Sequence, residues 1–270
     1  MALEDALLRP WALTNLDTAR EYMKLNDAAD DTKLILAVNK ASGSINRRTR
    51  RMLKSMPYTS PVTVNNINGN DASTTISTTD NFDSVRDRMM VTGTGVRPGT
   101  FVLQVVDSTT IELNVAPETT PSLATFVFSG LGPSVMDGRG TDTVRLPEYP
   151  TTEVLSVSSR ASDGSFSAMS TTGYLVGASG ILTLPGDVLS QGSENVYVEH
   201  VSGLLPGRHD SQLDALEGAC LRLVQVMMMD EETPVGRGTG VNVQGFGFSL
   251  IDSAMPRDIA AIVDTFKRWV

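Results

Sequence analysis

A chain of 270 residues with one cysteine, two histidines, six per cent aromatics and no excess of positive charge excludes more chemistry than it offers. The single Cys220 rules out an intrachain disulfide and any zinc site built on several thiolates. Basic residues number 22 against 31 acidic ones, a net charge of -9. A general nucleic-acid binder carries a basic face, so this surface is expected to repel DNA rather than hold it. No apolar run approaches the roughly 20 residues that span a bilayer. The opening MALEDALLRPW lacks the basic start and apolar core of a signal peptide. The expectation is a soluble protein, made in the cytoplasm, with no membrane partner.

Catalytic signatures are also missing. There is no H-E-x-x-H, no G-x-S-x-G and no paired-cysteine spacing. Cys220 sits on the apolar stripe of a helical segment, where burial as a small hydrophobe is favoured over a Cys/His nucleophile. His209, followed by Asp210 and Asp214, could recruit a metal. Capping of the helix that follows, by Asp210 or Ser211, is the favoured reading. A hydrolase built on His200, His209 and Asp210 is the least favoured reading. No catalytic residue, metal or cofactor is assigned, and the chain reads as non-enzymatic.

The most motif-like run is VTGTGVRPGT, residues 91–100. A P-loop needs a lysine and a following helix, and this run has neither. RPGT fits a type II turn with Pro98 and Gly99 at its centre, so Gly99 is expected at positive φ and Arg97 to be exposed.

What is present is a change of pattern along the chain. LTNLDTAREYMKLN reads as a helix with Thr14 as N-cap and Asp17 near its start. A second helix carries Leu34, Val38, Ala41, Ile45, Met52 and Met56 on one stripe, with Pro57 as its stop. On that helix Arg47, Arg50, Arg51 and Lys54 project opposite the stripe, as a solvated face or a subunit contact. From Tyr58 to about Gly130, Thr, Asn, Gly and Val dominate. Strands are read at PVTVNNI, STTIST, RMMVTG, TFVLQVV, TIELNV and ATFVFSG, with turn signals between them. Beyond lie an extended segment, DTVRLPEYPTTEVLSVSS, a hairpin, GYLVGASGILTLPG, and a strand, NVYVEHVSG.

A long helix follows, with Leu213, Leu216, Cys220, Leu223 and Met227 on one face. After it come a glycine-rich stretch, VGRGTGVNVQGFGFS, and a last helix with Pro256 at its first position. That helix carries an apolar face of Ile259, Ile262, Val263, Phe266 and Trp269. The face either packs on the protein's own core or docks into a neighbour's groove.

The fold class expected is α+β: a small helical bundle with strands and a hairpin, carrying an inserted all-β sandwich or small barrel and ending in an arm and helix. The boundaries read as 1–58 for the N-terminal helical part, 59–131 for the inserted β-domain, 132–235 for the rest of the scaffold, and 236–270 for the arm and C-terminal docking helix.

The order of elements carries a resemblance. WALTNLDTAREYMKL and ADDTKLILAVNKASGSINRRTRRML, then VRLPEYPTTEVLSVSS, GYLVGASGILTLPG and VYVEHVSGLLPGRHDSQLDALEGACLRLVQVMM, and last MPRDIAAIVDTFKRWV, resemble the head-tail connector (adaptor) family of long-tailed bacteriophages. The resemblance covers residues 1–57 and 140–270 and rests on pattern and order rather than on an invariant motif. The insertion departs from the family plan, and its VTGTGVRPGTFVLQVVDSTTIELN resembles a recurring β-module of phage virion proteins.

The resemblance implies a structural protein of the virion's head-tail junction. It would form a ring of identical subunits, usually twelve, seated beneath the portal protein, extending the DNA channel and presenting a platform to a neck, stopper or tail-completion protein. Double-stranded DNA would pass through without being held, as a net negative lining suits. Portal or neighbour docking would fall to Ile259, Ile262, Val263, Phe266, Arg268 and Trp269. Deleting residues 250–270 is expected to leave a folded chain that no longer attaches to portal. The alternative from another class is a binding module whose β-insertion recognises carbohydrate or another capsid or tail component.

Overall fold

The computed structural model describes residues 7–25, 30–160, 166–169, 173–177, 180–185, 188–189, 191–232 and 255–267. Its elements run α1 (Leu16–Met23), α2 (Asp31–Thr49), β1 (Met56–Tyr58), β2 (Val62–Gly69), β3 (Thr75–Thr78), β4 (Met90–Gly93) and β5 (Val102–Asp107). They continue β6 (Thr110–Leu113), β7 (Ala124–Ser129), β8 (Ser134–Gly138), β9 (Thr143–Arg145), β10 (Thr151–Arg160), β11 (Phe166–Ala168) and β12 (Leu175–Val176). Last come β13 (Ile181–Thr183), β14 (Gly192–Ser202), α3 (Asp210–Glu232) and α4 (Arg257–Asp264). Four helices and three antiparallel sheets among the described residues make an α+β fold with mostly β content.

Two compact units divide the chain: Met1–Lys54 with Leu204–Val270, and Ser55–Gly203. The first is helical and built from both ends of the sequence. Leu34, Val38, Ala41 and Ile45 of α2 are buried with Leu216, Cys220, Leu223 and Val224 of α3, and α1 contributes Ala19. Polar contacts fix the packing inside that core. Ser42 Oγ accepts the Leu13 N–H at 3.0 Å and lies 3.4 Å from Cys220 Sγ. Where the chain leaves this unit and returns to it, Lys54 and Leu204 form a parallel bridge, and the Leu204 N–H donates to the Leu53 carbonyl at 2.7 Å.

Two expectations about these helices need correction. The N-cap of α1 is Asn15, whose side-chain oxygen accepts the Thr18 N–H at 2.7 Å. The Thr14 hydroxyl is spent on Glu217 Oε1 instead, at 2.7 Å. The second helix stops at Thr49, well before Pro57. Arg50 turns left-handed (φ 55°, ψ 38°), its N–H reaching the Arg47 and Asn46 carbonyls, and the Arg51 N–H returns to Asn46 O at 3.1 Å. This cap satisfies the last carbonyls without glycine or proline. The Asn46 side chain also accepts the Leu53 N–H at 3.3 Å, and Thr49 Oγ1 donates back to Ile45 O at 3.0 Å. Met52 thus lies past the helix and Met56 opens β1.

The second unit holds the three sheets. In the first, β14 pairs with β10 on one side and with β1 and β8 on the other, and β10 pairs with β11. A second, three-stranded sheet contains the expected hairpin, β12 with β13, and adds β9. Val144, Leu146, Val154, Val157, Leu182, Leu184, Val196 and Val198 form a common core.

The third sheet takes all six strands read between residues 62 and 129, in the order β4-β7-β2-β3-β6-β5. Its two outer strands meet. Met90 bridges Phe101, the Val91 N–H reaches Thr100 O at 2.9 Å, and the Val102 N–H reaches Met89 O at 2.9 Å. The sheet therefore closes into a small barrel around Ile67, Ile76, Phe82, Met89, Ile111, Leu113, Phe126 and Phe128. Phe82 and Phe128 meet edge-to-face at 5.7 Å, a favoured aromatic geometry.

Candidate interaction site

The stretch 91–100 belongs to this barrel and does turn chemistry. The Thr100 N–H bonds to Arg97 O at 3.1 Å, with Gly99 at φ 93°, the geometry of a type II turn. Gly95 also has positive φ, 74°, and a Cβ there would run into the Thr119 hydroxyl. Arg97 is half-buried rather than exposed, because its Nε lies 3.5 Å from Glu118 Oε1.

The histidines lie in different units. His200, on β14, is fully buried and stacks on Tyr58 with ring centroids 4.8 Å apart. Its Nε2 lies 2.8 Å from Ser134 Oγ and its Nδ1 2.7 Å from Ser202 Oγ, which in turn lies 3.0 Å from Thr151 Oγ1. These partners are neutral hydroxyls, so burial pushes the imidazole pKa down to about 4. The ring ties β1, β8, β10 and β14 together. His209 instead accepts the Leu205 N–H through Nδ1 at 3.1 Å, while Asp210 Oδ1 accepts the Gly207 N–H at 2.6 Å. Asp210 is the first residue of α3 and its carboxylate reaches back to the turn before the helix, so it does not accept from the first helical amides as the expected cap would. Cys220 is buried in the helical core, with its thiol pushed up to about 11 by desolvation. Among the described residues, no three of His, Cys, Asp and Glu gather in a way that could hold a metal.

The residues singled out for docking converge on α4. The chain enters it from Pro256, which serves as N-cap rather than as the first helical residue, and Asp258 lies in the first turn. Thr265 closes it, its Oγ1 donating to Ile262 O at 2.7 Å. Ile259 and Val263, one turn apart, are buried in the helical core together with Met255. Ile262 and Phe266 are half-buried against the same core. Of the two placements weighed for this face, packing on the protein's own core is the one these four side chains take. Arg268 and Trp269 lie outside the described residues, as does the glycine-rich stretch before the helix. Truncation at residue 250 would strip three buried side chains from this core, which reverses the expectation that such a chain stays folded.

Polar contacts bracket the apolar face of α4. Arg48 of α2 grips Asp264 with both arms of its guanidinium, Nε to Oδ1 at 2.9 Å and Nη2 to Oδ2 at 2.7 Å. That hydrogen-bonded pairing holds the Asp264 carboxyl below the usual carboxylate range. Arg222 of α3 meets Asp258 at 2.7 Å. Arg51 Nη1 donates to the Phe266 carbonyl at 3.2 Å, a cation placed at a helix C-terminus.

The four basic residues expected on one helical face are dispersed by the early end of α2. Arg47 remains on the helix, exposed, with Nη2 3.2 Å from Ser44 Oγ. Arg50 forms the left-handed cap and is exposed. Arg51 serves α4, and Lys54 Nζ donates to Ala12 O at 2.9 Å. Sequence reasoning passed over Arg48 and Arg222. The available signal was the pair Asp258 and Asp264 flanking the apolar stripe of the last helix, two acids in need of basic partners.

No family model matches the chain, and no curated protein matches it either. No helix among the described residues is long and apolar enough to cross a membrane.

Proposed function

We propose that this chain is a non-catalytic structural subunit of a head-tail connector, an adaptor ring between a portal and the neck or tail of a long-tailed bacteriophage. The observation that supports the reading is the discontinuous helical unit. Helices α1 and α2 from one end of the chain and α3 and α4 from the other share a single core, and the β-rich unit is spliced between Lys54 and Leu204. These helices are part of the order on which the resemblance to connector proteins rests, an order that also includes β10, the hairpin of β12 and β13, and β14. The net charge of -9, repeated around a ring, gives a passage that does not retain DNA. A single head-to-tail contact repeated by rotation closes such a ring.

Electron microscopy of the full chain, alone and mixed with portal protein, tests the reading. Rings with a central opening, or a collar on portal, are expected. Particles of single-chain size under both conditions would overturn it.

A binding role for the barrel is the second reading. What favours it is that the barrel closes on itself around its own core and still exposes Leu103, Val106 and Leu123. Glycan or virion-component binding by the full chain that disappears when Leu103 and Val106 become Ser would support it. Binding unchanged by those substitutions would sink it.

A further inference from the structure

We propose that α4 is an exchangeable element, and that in the assembled ring each subunit's α4 seat is filled by α4 of an identical neighbour. The inference rests on the ring reading for the existence of a neighbour, and on the structure for the seat.

Three observations carry it. The first is the completeness of the seat. Its apolar floor takes Ile259 and Val263, and it presents Arg48, Arg51 and Arg222 to Asp264, the Phe266 carbonyl and Asp258. All of these recognition groups belong to α2, α3 and the residues just after α2, so a second copy offers the same seat with the same charges.

The second is the size of the helix. Eight residues do not hold a helix alone in water, so α4 must be seated somewhere. Its contacts specify a seat of this chemistry, not the chain that supplies it.

The third is tether length. Helices packed side by side in a bundle are usually joined by about 2–8 residues. Here residues 233–254 separate α3 from Met255, and five of them are glycine: 236, 238, 240, 245 and 247. Fully extended, such a length covers roughly 75 Å, more than twice the width of a small domain at about 30 Å. A tether far longer than its own seat requires permits α4 to reach the equivalent seat next door. Exchange of an identical element between protomers adds no new interface chemistry, and it is a low-cost route to assembly.

The test is a full-length chain carrying Arg48→Cys with Asp264→Cys, treated with a short bis-maleimide. A second chain carrying Arg222→Cys with Asp258→Cys probes the other ion pair should the first not fold. Cys220 stays in place, because it is buried, and the parent chain serves as its control. Cross-linking follows sedimentation, so that the assembly state is known when the reagent is added. The expected result is a covalent ladder of dimer, trimer and higher species in denaturing gels, formed only from the assembled fraction. Assembled rings whose reacted chains all run as monomers, linked internally, would overturn the exchange and leave the ring reading standing. A chain that sediments as a single copy at every concentration would overturn both.

Discussion

The barrel and the helical unit solve the same problem of burying apolar surface in opposite ways. The barrel is drawn from one uninterrupted stretch, residues 62–129, and all its strand pairings fall inside that stretch, from the near contact of Met90 with Phe101 to the pairing of Val62 with Phe128. The helical unit brings together residues as distant as Arg48 and Asp264, and its core spans both ends of the chain. The barrel is fastened mainly by backbone hydrogen bonds and aromatic packing. The helical unit adds a bracket of side-chain ion pairs around its last helix. A local module can be inserted whole, whereas a discontinuous one depends on its final element. The two are therefore expected to respond separately to damage.

The largest effect should come from the barrel. Phe126 is fully buried, and Phe126→Ala should cost about 3–5 kcal/mol, from lost transfer energy and the cavity left behind. Hydrogen exchange should show the loss across residues 62–129, with protection in α2 and α3 unchanged; a uniform loss through the chain would break the comparison. In the helical unit, Ile259→Ala should cost about 2–4 kcal/mol. Protection should fall in α2 and α3 while the barrel strands keep theirs.

The pH dependence comes third and belongs to the first sheet of the β-rich unit. His200 takes up its proton at about 4 when folded and at about 6.5 when unfolded. Above pH 6.5 neither state is protonated, so the histidine leaves stability unchanged. As pH falls from about 6.5 to about 4, the unfolded state gains a proton that the folded state refuses, and up to about 3 kcal/mol is lost. Denaturation followed by exchange in β10 and β14 should show this loss, and His200→Gln should flatten the slope. A slope unaltered in that variant would remove the buried imidazole as its cause.

The smallest effect concerns the bracket. Arg48→Ala should cost under about 1 kcal/mol, because the guanidinium and carboxylate are both partly solvated. Raised salt should shrink the difference between the parent and this variant.

The same contrast decides what could be read in advance. Each of the six strand-like runs between residues 61 and 130 overlaps one barrel strand, with β2 and β5 running past the ends of theirs, and RPGT is the turn its residues specify, because strand alternation and turn chemistry are local signals. The pairing of β2 with β7, which sets Val62 opposite Phe128 from the far end of the barrel stretch, is a long-range event that no window of sequence displays. β8 escaped notice because SVMDG has little alternation, and its strand character comes from pairing with β14. The apolar stripes of α2 and α3 were legible from their period. The end of α2 was not, since an arginine in left-handed geometry occupies the place where glycine would announce a cap. That single misplacement scattered the expected arginine face. It also hid Arg48, which sequence alone cannot separate from the four basic residues near it.

Barrel closure has one more consequence, for molecules held close together in many copies. An open sheet exposes unpaired backbone donors and acceptors that can template strand addition by a neighbour. In the barrel, the Val91 N–H of β4 goes to Thr100 O and the Val102 N–H of β5 to Met89 O, and where β5 runs on, the Val105 N–H is taken by Asp87 at 2.8 Å. Those three amides are closed to an incoming strand. A module closed at that seam is less able to fuse with its own image when copies are crowded together.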